Sequence, residues 1–239
     1  METLKFKDKG NVKMIAHRGL SGLIAENTVP AFEAAGKASY YGIETDVHVT
    51  RDGKIIVVHD DDLRRVADLD LVVEENTFET LRAVRLKNLE GVIDENLYLP
   101  SLEEYIKICK KYDKQAILEL KNEMSKEHVW AIADEVKELG WLERTTFISF
   151  SGVNLVNLRA RYQTADAQYL TEESNQQEIA FMIENNLSAD LSFECVTKEK
   201  VETLHQAGLK VNCWTVDALS DAEKMKACGV DMITTDILE

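Results

Sequence analysis

Two histidines and three acids stand out because they end or interrupt apolar runs. In "MIAHRG" His17 follows Met14-Ile15-Ala16 and is followed by Arg18 and Gly19, and in "IIVVHD" His59 follows Ile55 to Val58. In "GIETDVHVT" the strand period of two places Glu44 and Asp46, with His48 as a further candidate, on one face, and Ile43, Thr45 and Val47 on the other. The same alternation in "AILELK" aligns Ile117, Glu119 and Lys121. Two acids pointing together from an apolar strand repel each other unless a cation neutralises them, which a bound metal does. Three carboxylates with no cysteine among them make a hard-oxygen site for one divalent cation, Mg²⁺ or Ca²⁺, and the sequence does not choose between the ions. For either acid set alone the alternative stands: Glu44 and Asp46 as solvated strand-end acids, Glu119 and Lys121 as an ion pair.

Imidazole titrates closest to neutral pH, so a pair of strand-end histidines suits one general base and one general acid. Cleavage of a phosphodiester needs both, to deprotonate a nucleophile and to protonate a leaving alkoxide. Arg18 offers a planar fork for a phosphate oxygen and Lys121 a compact charge beside it. A metal absorbs charge as the phosphorus centre gains it.

The elements that position these groups alternate along the chain. Nine β-rich runs read as strands: "KMIAH", "GIETDVHV", "KIIVVH", "QAILELK", "TTFISF", "AQYLT", "ADLSF", "KVNCWTV" and "DMITTD". Amphipathic stretches such as "TVPAFEAAGKASYY", "SLEEYIKICKKY", "HVWAIADEVKELG", "TKEKVETLHQAG" and "LSDAEKMKACG" separate most of them. Ser101 with Glu104 and Ser220 with Glu223 have capping-box spacing, and Gly140, Gly208 and Gly229 stand where helices should end. Repeated strand-helix units imply a parallel sheet, and barrel enzymes keep their sites at strand C-termini. Nine strands are one too many for an eight-stave barrel, and "TRDG" at Thr50 to Gly53 is too short for a helical crossover, so one stave should be irregular or not a stave. Residues 60–100 read as a small insertion within a single domain of residues 1–239, with "TFETLRAVRLKN" as a helix.

The 239 residues match one α/β barrel in length, and the formal charge of −15 argues against nucleic acid and anionic membrane surfaces as partners. Cys109, Cys195, Cys213 and Cys228 form no zinc pattern and read as reduced thiols. The opening "METLKFKDKG" lacks the apolar core of a signal peptide and no window suits a membrane span, so no stable membrane anchor and a cytoplasmic location are expected. The pattern of the surface helices leaves the oligomeric state open.

In family order through almost the whole chain run "AHRG", "AENTVPAF", "GIETDVHVTRDGKIIVVHD", "LELK", "ISFS", "VNCWTV" and "GVDMITTD". With these motifs the chain resembles the glycerophosphodiester phosphodiesterase family, within the phospholipase-C-like phosphodiesterases. The resemblance implies a TIM-type (β/α)8 barrel with a short insertion, and hydrolysis of glycerophosphodiesters to glycerol 3-phosphate and an alcohol. It implies a divalent ion on Glu44, Asp46 and Glu119, His17 and His59 as the acid-base pair, and phosphate contacts from Arg18 and Lys121. It also places Trp214 against the glycerol, where the residue type alone reads as a core aromatic. Glu26-Asn27-Thr28 shapes the turn into the helix carrying Pro30 and Phe32, or Asn27 instead reaches the site. Two departures bear on substrate preference: "DDLRRVADLDLVVEEN" replaces a threonine- and glycine-containing run, and Met232 stands where glycine is common. The alternatives are a lysophospholipase-D-like activity, disfavoured by the lack of an obvious exposed apolar stripe, and a non-catalytic phosphodiester-binding barrel, disfavoured by the intact histidine pair.

Overall fold

In the computed structural model, which describes residues 2–239, eight parallel strands close into a ring. They are β1 (Lys13–Ala16), β2 (Gly42–Val49), β6 (Gln115–Leu120), β7 (Thr145–Ser149), β8 (Asp166–Thr171), β9 (Ser188–Ser192), β10 (Val211–Trp214) and β11 (Met232–Thr235). Pairing of β1 with both β2 and β11 closes the barrel. The ninth sequence-predicted strand, β3 (Ile55–Val57), lies outside the ring as an antiparallel partner of β2. "TRDG" is the turn of that hairpin, with the Gly53 N–H donating to the Thr50 carbonyl at 2.8 Å.

The helices follow from their caps and apolar faces. α1 (Val29–Lys37) starts at Thr28 with Pro30 in its first turn, and α4 (Leu102–Lys111) carries the expected capping box of Ser101 and Glu104. α5 (Lys126–Glu138), α6 (Gly152–Arg161), α7 (Gln176–Glu184) and α8 (Lys198–Gln206) begin at Ser125, Ser151, Asn175 and Thr197, each of which accepts a backbone N–H. Gly229 closes α9 (Leu219–Cys228) in the left-handed conformation, but the expected box at Ser220 does not form. α9 starts two residues earlier than that box requires, at Leu219 after Ala218, so Ser220 lies inside the helix and its hydroxyl is not at the cap.

The main core lies between strands and helices, with Ile43, Val47, Leu118, Phe147 and Leu191 facing outward from the barrel. Inside it a small layer of Ile15, Ile117, Ile148, Leu170 and Met232 fills the lumen beneath the strand C-termini. Between β3 and α4 the insertion builds a separate apolar cluster around Leu63, Val73, Leu81 and Leu99. It holds α2 (Arg64–Ala67), α3 (Phe78–Arg82) and a hairpin of β4 (Leu86–Lys87) and β5 (Ile93–Asp94). The helix expected over "TFETLRAVRLKN" is therefore only its first part. Leu81 and Val84 share a helical face but Leu86 does not, and the chain leaves the helix so that all three enter the cluster.

Tyr105 of α4, fully buried, ties two site-bearing strands together. Its hydroxyl donates to the Ile43 carbonyl at 2.7 Å and accepts from the Ile117 N–H at 3.0 Å. Tyr105→Phe leaves both backbone groups without this partner, and we expect a loss of about 1–3 kcal/mol in urea unfolding at unchanged slope. A change under roughly 0.5 kcal/mol contradicts this role.

Candidate active site

Strand register brings the three acids together. Asp46 on β2 lies directly beside Glu119 on β6, while Glu44 sits one pleat deeper beside Ile117. All three are buried, and one carboxylate oxygen from each lies within 4.8 Å of the others. Burial and the Asp46 charge push Glu44 well above the ordinary carboxylate range, against the pull of Arg18. Burial and Asp46 likewise push Glu119 up to about 8, against Lys121. Burial opposes ionisation of Asp46 as well, but Arg18, Lys121 and His59, with a hydrogen bond from Asn27, outweigh it and hold its carboxyl below its usual value. The Asp46 Oδ1 atom is buried without a hydrogen bond; Lys121 Nζ lies 3.7 Å away. An all-oxygen, acid-rich cluster with one unpartnered oxygen fits a hard divalent cation.

The loop after β1 wraps over this cluster. Arg18 adopts φ 53°, and its backbone N–H donates to Glu44 Oε2 at 2.7 Å. Its guanidinium reaches Glu26 at 2.9 Å and lies 3.5 Å from Asp46. Gly19 has φ 79°, and a Cβ there would stand 2.8 Å from the Ala31 backbone, so "HRG" requires its glycine. Asn27 reaches the site as well as forming the turn: its amide donates to Asp46 Oδ2 and accepts from Thr45 Oγ1, both at 2.7 Å. Just past β6, Lys121 places Nζ 2.8 Å from Glu119 Oε1.

Both histidines stand at this rim, each backed by a carboxylate. His17 Nδ1 is 2.7 Å from Asp236 Oδ1, at the end of the neighbouring β11, and His59 Nδ1 is 2.7 Å from Asp60 Oδ1. Burial lowers the His59 pKa, helped by Arg18 and Lys121 and opposed by Asp46 and Asp60. His48 is a correction: it does not join the acids. Fully buried, it bonds Glu74 of the insertion through Nδ1 at 3.1 Å and meets the His59 carbonyl through Nε2 at 3.4 Å. The hairpin carries this part of β2 toward the insertion, away from the barrel lumen.

A pocket of about 200 Å³ opens among His17, Arg18, Glu44, His59, Glu119 and Trp214. Phe150 meets the Trp214 ring edge-to-face at 5.7 Å, and Glu172 and the buried Asp190 complete the wall opposite the histidines. Lys121 and Asp46 do not line the pocket themselves but contact residues that do, Lys121 pairing with Glu119 and Asp46 with Arg18. The structure thus gathers all eight sequence-predicted residues at the strand C-termini. Reading by motif missed Asp236, Asp60, Glu26 and Phe150. Asp236 had a signal, since it ends the strand run "DMITTD"; Glu26 lies in a quoted motif but gained meaning only from the fold.

Residues 17–239 match the glycerophosphoryl diester phosphodiesterase family model. The chain is 30% identical to YhdW of Bacillus subtilis over 239 residues, covering 93% of each chain. It is 28% identical to a glycerophosphodiester phosphodiesterase of Caldanaerobacter subterraneus subsp. tengcongensis over 230 residues, again covering 93% of each. An Oleispira antarctica phosphodiesterase, solved in complex with the product sn-glycerol-3-phosphate, superposes with a TM-score of 0.86 at 25% identity, over 94% of this chain and 92% of that one. Strand order, the acid cluster at the strand ends and the match along nearly the full length agree: the chain belongs to the glycerophosphoryl diester phosphodiesterase family.

Proposed function

We propose that the protein hydrolyses glycerophosphodiesters to glycerol 3-phosphate and a free alcohol with the help of one divalent cation, Mg²⁺ or Ca²⁺. The observation that carries this reading is the buried cluster of Glu44, Asp46 and Glu119 flanked by two carboxylate-backed histidines in one pocket. Glu44, Asp46 and Glu119 would hold the ion, which would supply positive charge against the negative charge that develops in the reaction.

The remaining work falls to side chains of this chain. Arg18 and Lys121 meet the phosphate, the first with a planar fork and the second with a point charge. Asp60 fixes the His59 ring, leaving Nε2 free; with its pKa lowered by burial, this imidazole is suited to accept a proton at neutral pH. Asp236 fixes His17 in the same way, and His17 is the counterpart that delivers a proton to the leaving oxygen. Trp214, steadied by Phe150 and by donation from its indole to the Asp190 carbonyl at 3.3 Å, offers an apolar face to the glycerol carbons. A binder that performs no chemistry has no use for two oriented imidazoles.

One observation favours a second substrate class. The insertion exposes Leu69, Leu89, Val92 and Ile93, and its hairpin carries the last three at or beside its turn. This apolar surface, not evident in the sequence, is compatible with a single-chain lipid. Among the described residues no helix is long and apolar enough to cross a membrane.

Metal-stripped protein should release glycerol 3-phosphate from glycerophosphocholine only when Mg²⁺ or Ca²⁺ is restored, and Glu44→Ala should not recover. A lysophosphatidylcholine arm ranks the two classes; turnover there equal to or above glycerophosphocholine reverses the order, and turnover of neither with either ion contradicts the reading. His17→Ala should lower kcat by about 10²–10⁴-fold, roughly 3–5 kcal/mol in the barrier. A loss below about threefold removes His17 from proton transfer.

A further inference from the structure

Within the segment that departs from the family pattern, one residue is bonded to both halves of the site. Arg65 sits on α2 of the insertion and does not line the substrate pocket. Its Nε donates to Asp60 Oδ2 at 2.7 Å, while Nη1 and Nη2 donate to the two oxygens of Glu26 at 2.7 and 2.8 Å. The far oxygen of Asp60 holds His59 Nδ1, and Glu26 Oε1 also accepts from Arg18. An unbroken chain therefore runs from His59 through Asp60, Arg65 and Glu26 to Arg18.

We propose that Arg65 is a positioning residue that sets the His59 imidazole and the Arg18 guanidinium together, through the two carboxylates it bridges. This inference rests on the proposed roles of His59 and Arg18. Without Arg65, Asp60 keeps only its bond to His59 and Glu26 only its bond to Arg18 among these contacts, so neither carboxylate is tied to the other half of the site. Two anions beside a phosphate site would also repel the substrate unless a cation is fixed between them. A guanidinium can do this because its fork presents Nε to one acid and both terminal nitrogens to the other. A lysine at the same place keeps the charge but has no such planar fork. Arg65 is half exposed, so its ion pairs are screened by water and add little to global stability. The same exposure makes the role separable from folding.

The test compares wild type, Arg65→Ala, Arg65→Lys, Asp60→Asn and the double variant of Arg65→Ala with Asp60→Asn, using glycerophosphocholine with Mg²⁺ or Ca²⁺. Removing a group that orients a functional side chain typically costs about 10–100-fold in activity. We expect Arg65→Ala to lower kcat through His59 and to raise KM through Arg18, with Tm little changed. Arg65→Lys should not recover kcat, and the double variant should lose no more in kcat than the larger single loss. Nitrogen-15 NMR of His59 gives a readout independent of turnover: the wild-type ring should hold its Nδ1–H form, and Arg65→Ala should show averaged tautomers. Kinetic constants within about twofold of wild type for Arg65→Ala or Arg65→Lys, losses that multiply in the double variant, or an unchanged His59 signature would each overturn the inference. A wild-type chain with no turnover instead defeats the proposed function, and the imidazole signature then decides the role of Arg65.

Discussion

Three carboxylates buried within reach of one another are the constraint around which the rest of the molecule is arranged. Taken out of water and placed side by side, they resist full ionisation, and Glu44 and Glu119 accordingly sit above their ordinary range. Arg18 and Lys121 offset part of this charge, and both are positioned by the acids they neutralise. A carboxyl raised in this way stabilises the folded chain while protonated. For Glu119 that contribution is present below its ordinary value of 4.5 and is lost as pH rises through about 8. A divalent ion held there, as proposed, would replace those protons and so link metal affinity to pH.

The barrel and the insertion divide the positioning between them. Strand register supplies the acids, and the end of β11 supplies Asp236 to His17. Groups near the insertion supply the rest: Asp60 to His59, Glu74 to the buried His48 that supports the His59 carbonyl, and Arg65 across the gap to the β1 loop. The antiparallel strand β3 makes this possible. Its pairing with β2 brings His59 back alongside Asp46, with the Val58 N–H donating to the Asp46 carbonyl at 3.1 Å. A helical crossover at that point would have delivered the chain to the far face of the barrel.

What could be read in the sequence follows from which interactions are local. Period-two alternation put Glu44, Asp46, Ile117 and Glu119 toward the lumen, and strand-end placement found His17 and His59. The surplus of one strand correctly marked an irregularity, and the short "TRDG" turn held its explanation. The same alternation misjudged His48, because the strand follows the hairpin past the end of the lumen. Helical periodicity overran in "TFETLRAVRLKN", where burial of Leu86 outweighs continuation of the helix. Asp236 lies 219 residues from the His17 it holds and Arg65 lies 39 from Glu26, so neither pairing leaves a local pattern.

The acid cluster is proposed as a cation site whose charge protons balance while no metal is bound. Calorimetric titration of Mg²⁺ or Ca²⁺ into metal-stripped protein, in two buffers of different ionisation enthalpy and across a pH series, tests it most directly. One site, release of about one proton or more per ion near neutral pH, affinity that rises toward pH of about 8, and loss of binding in Glu119→Gln are expected. Equal heats in both buffers with pH-independent affinity, or undiminished binding in the variant, would contradict it.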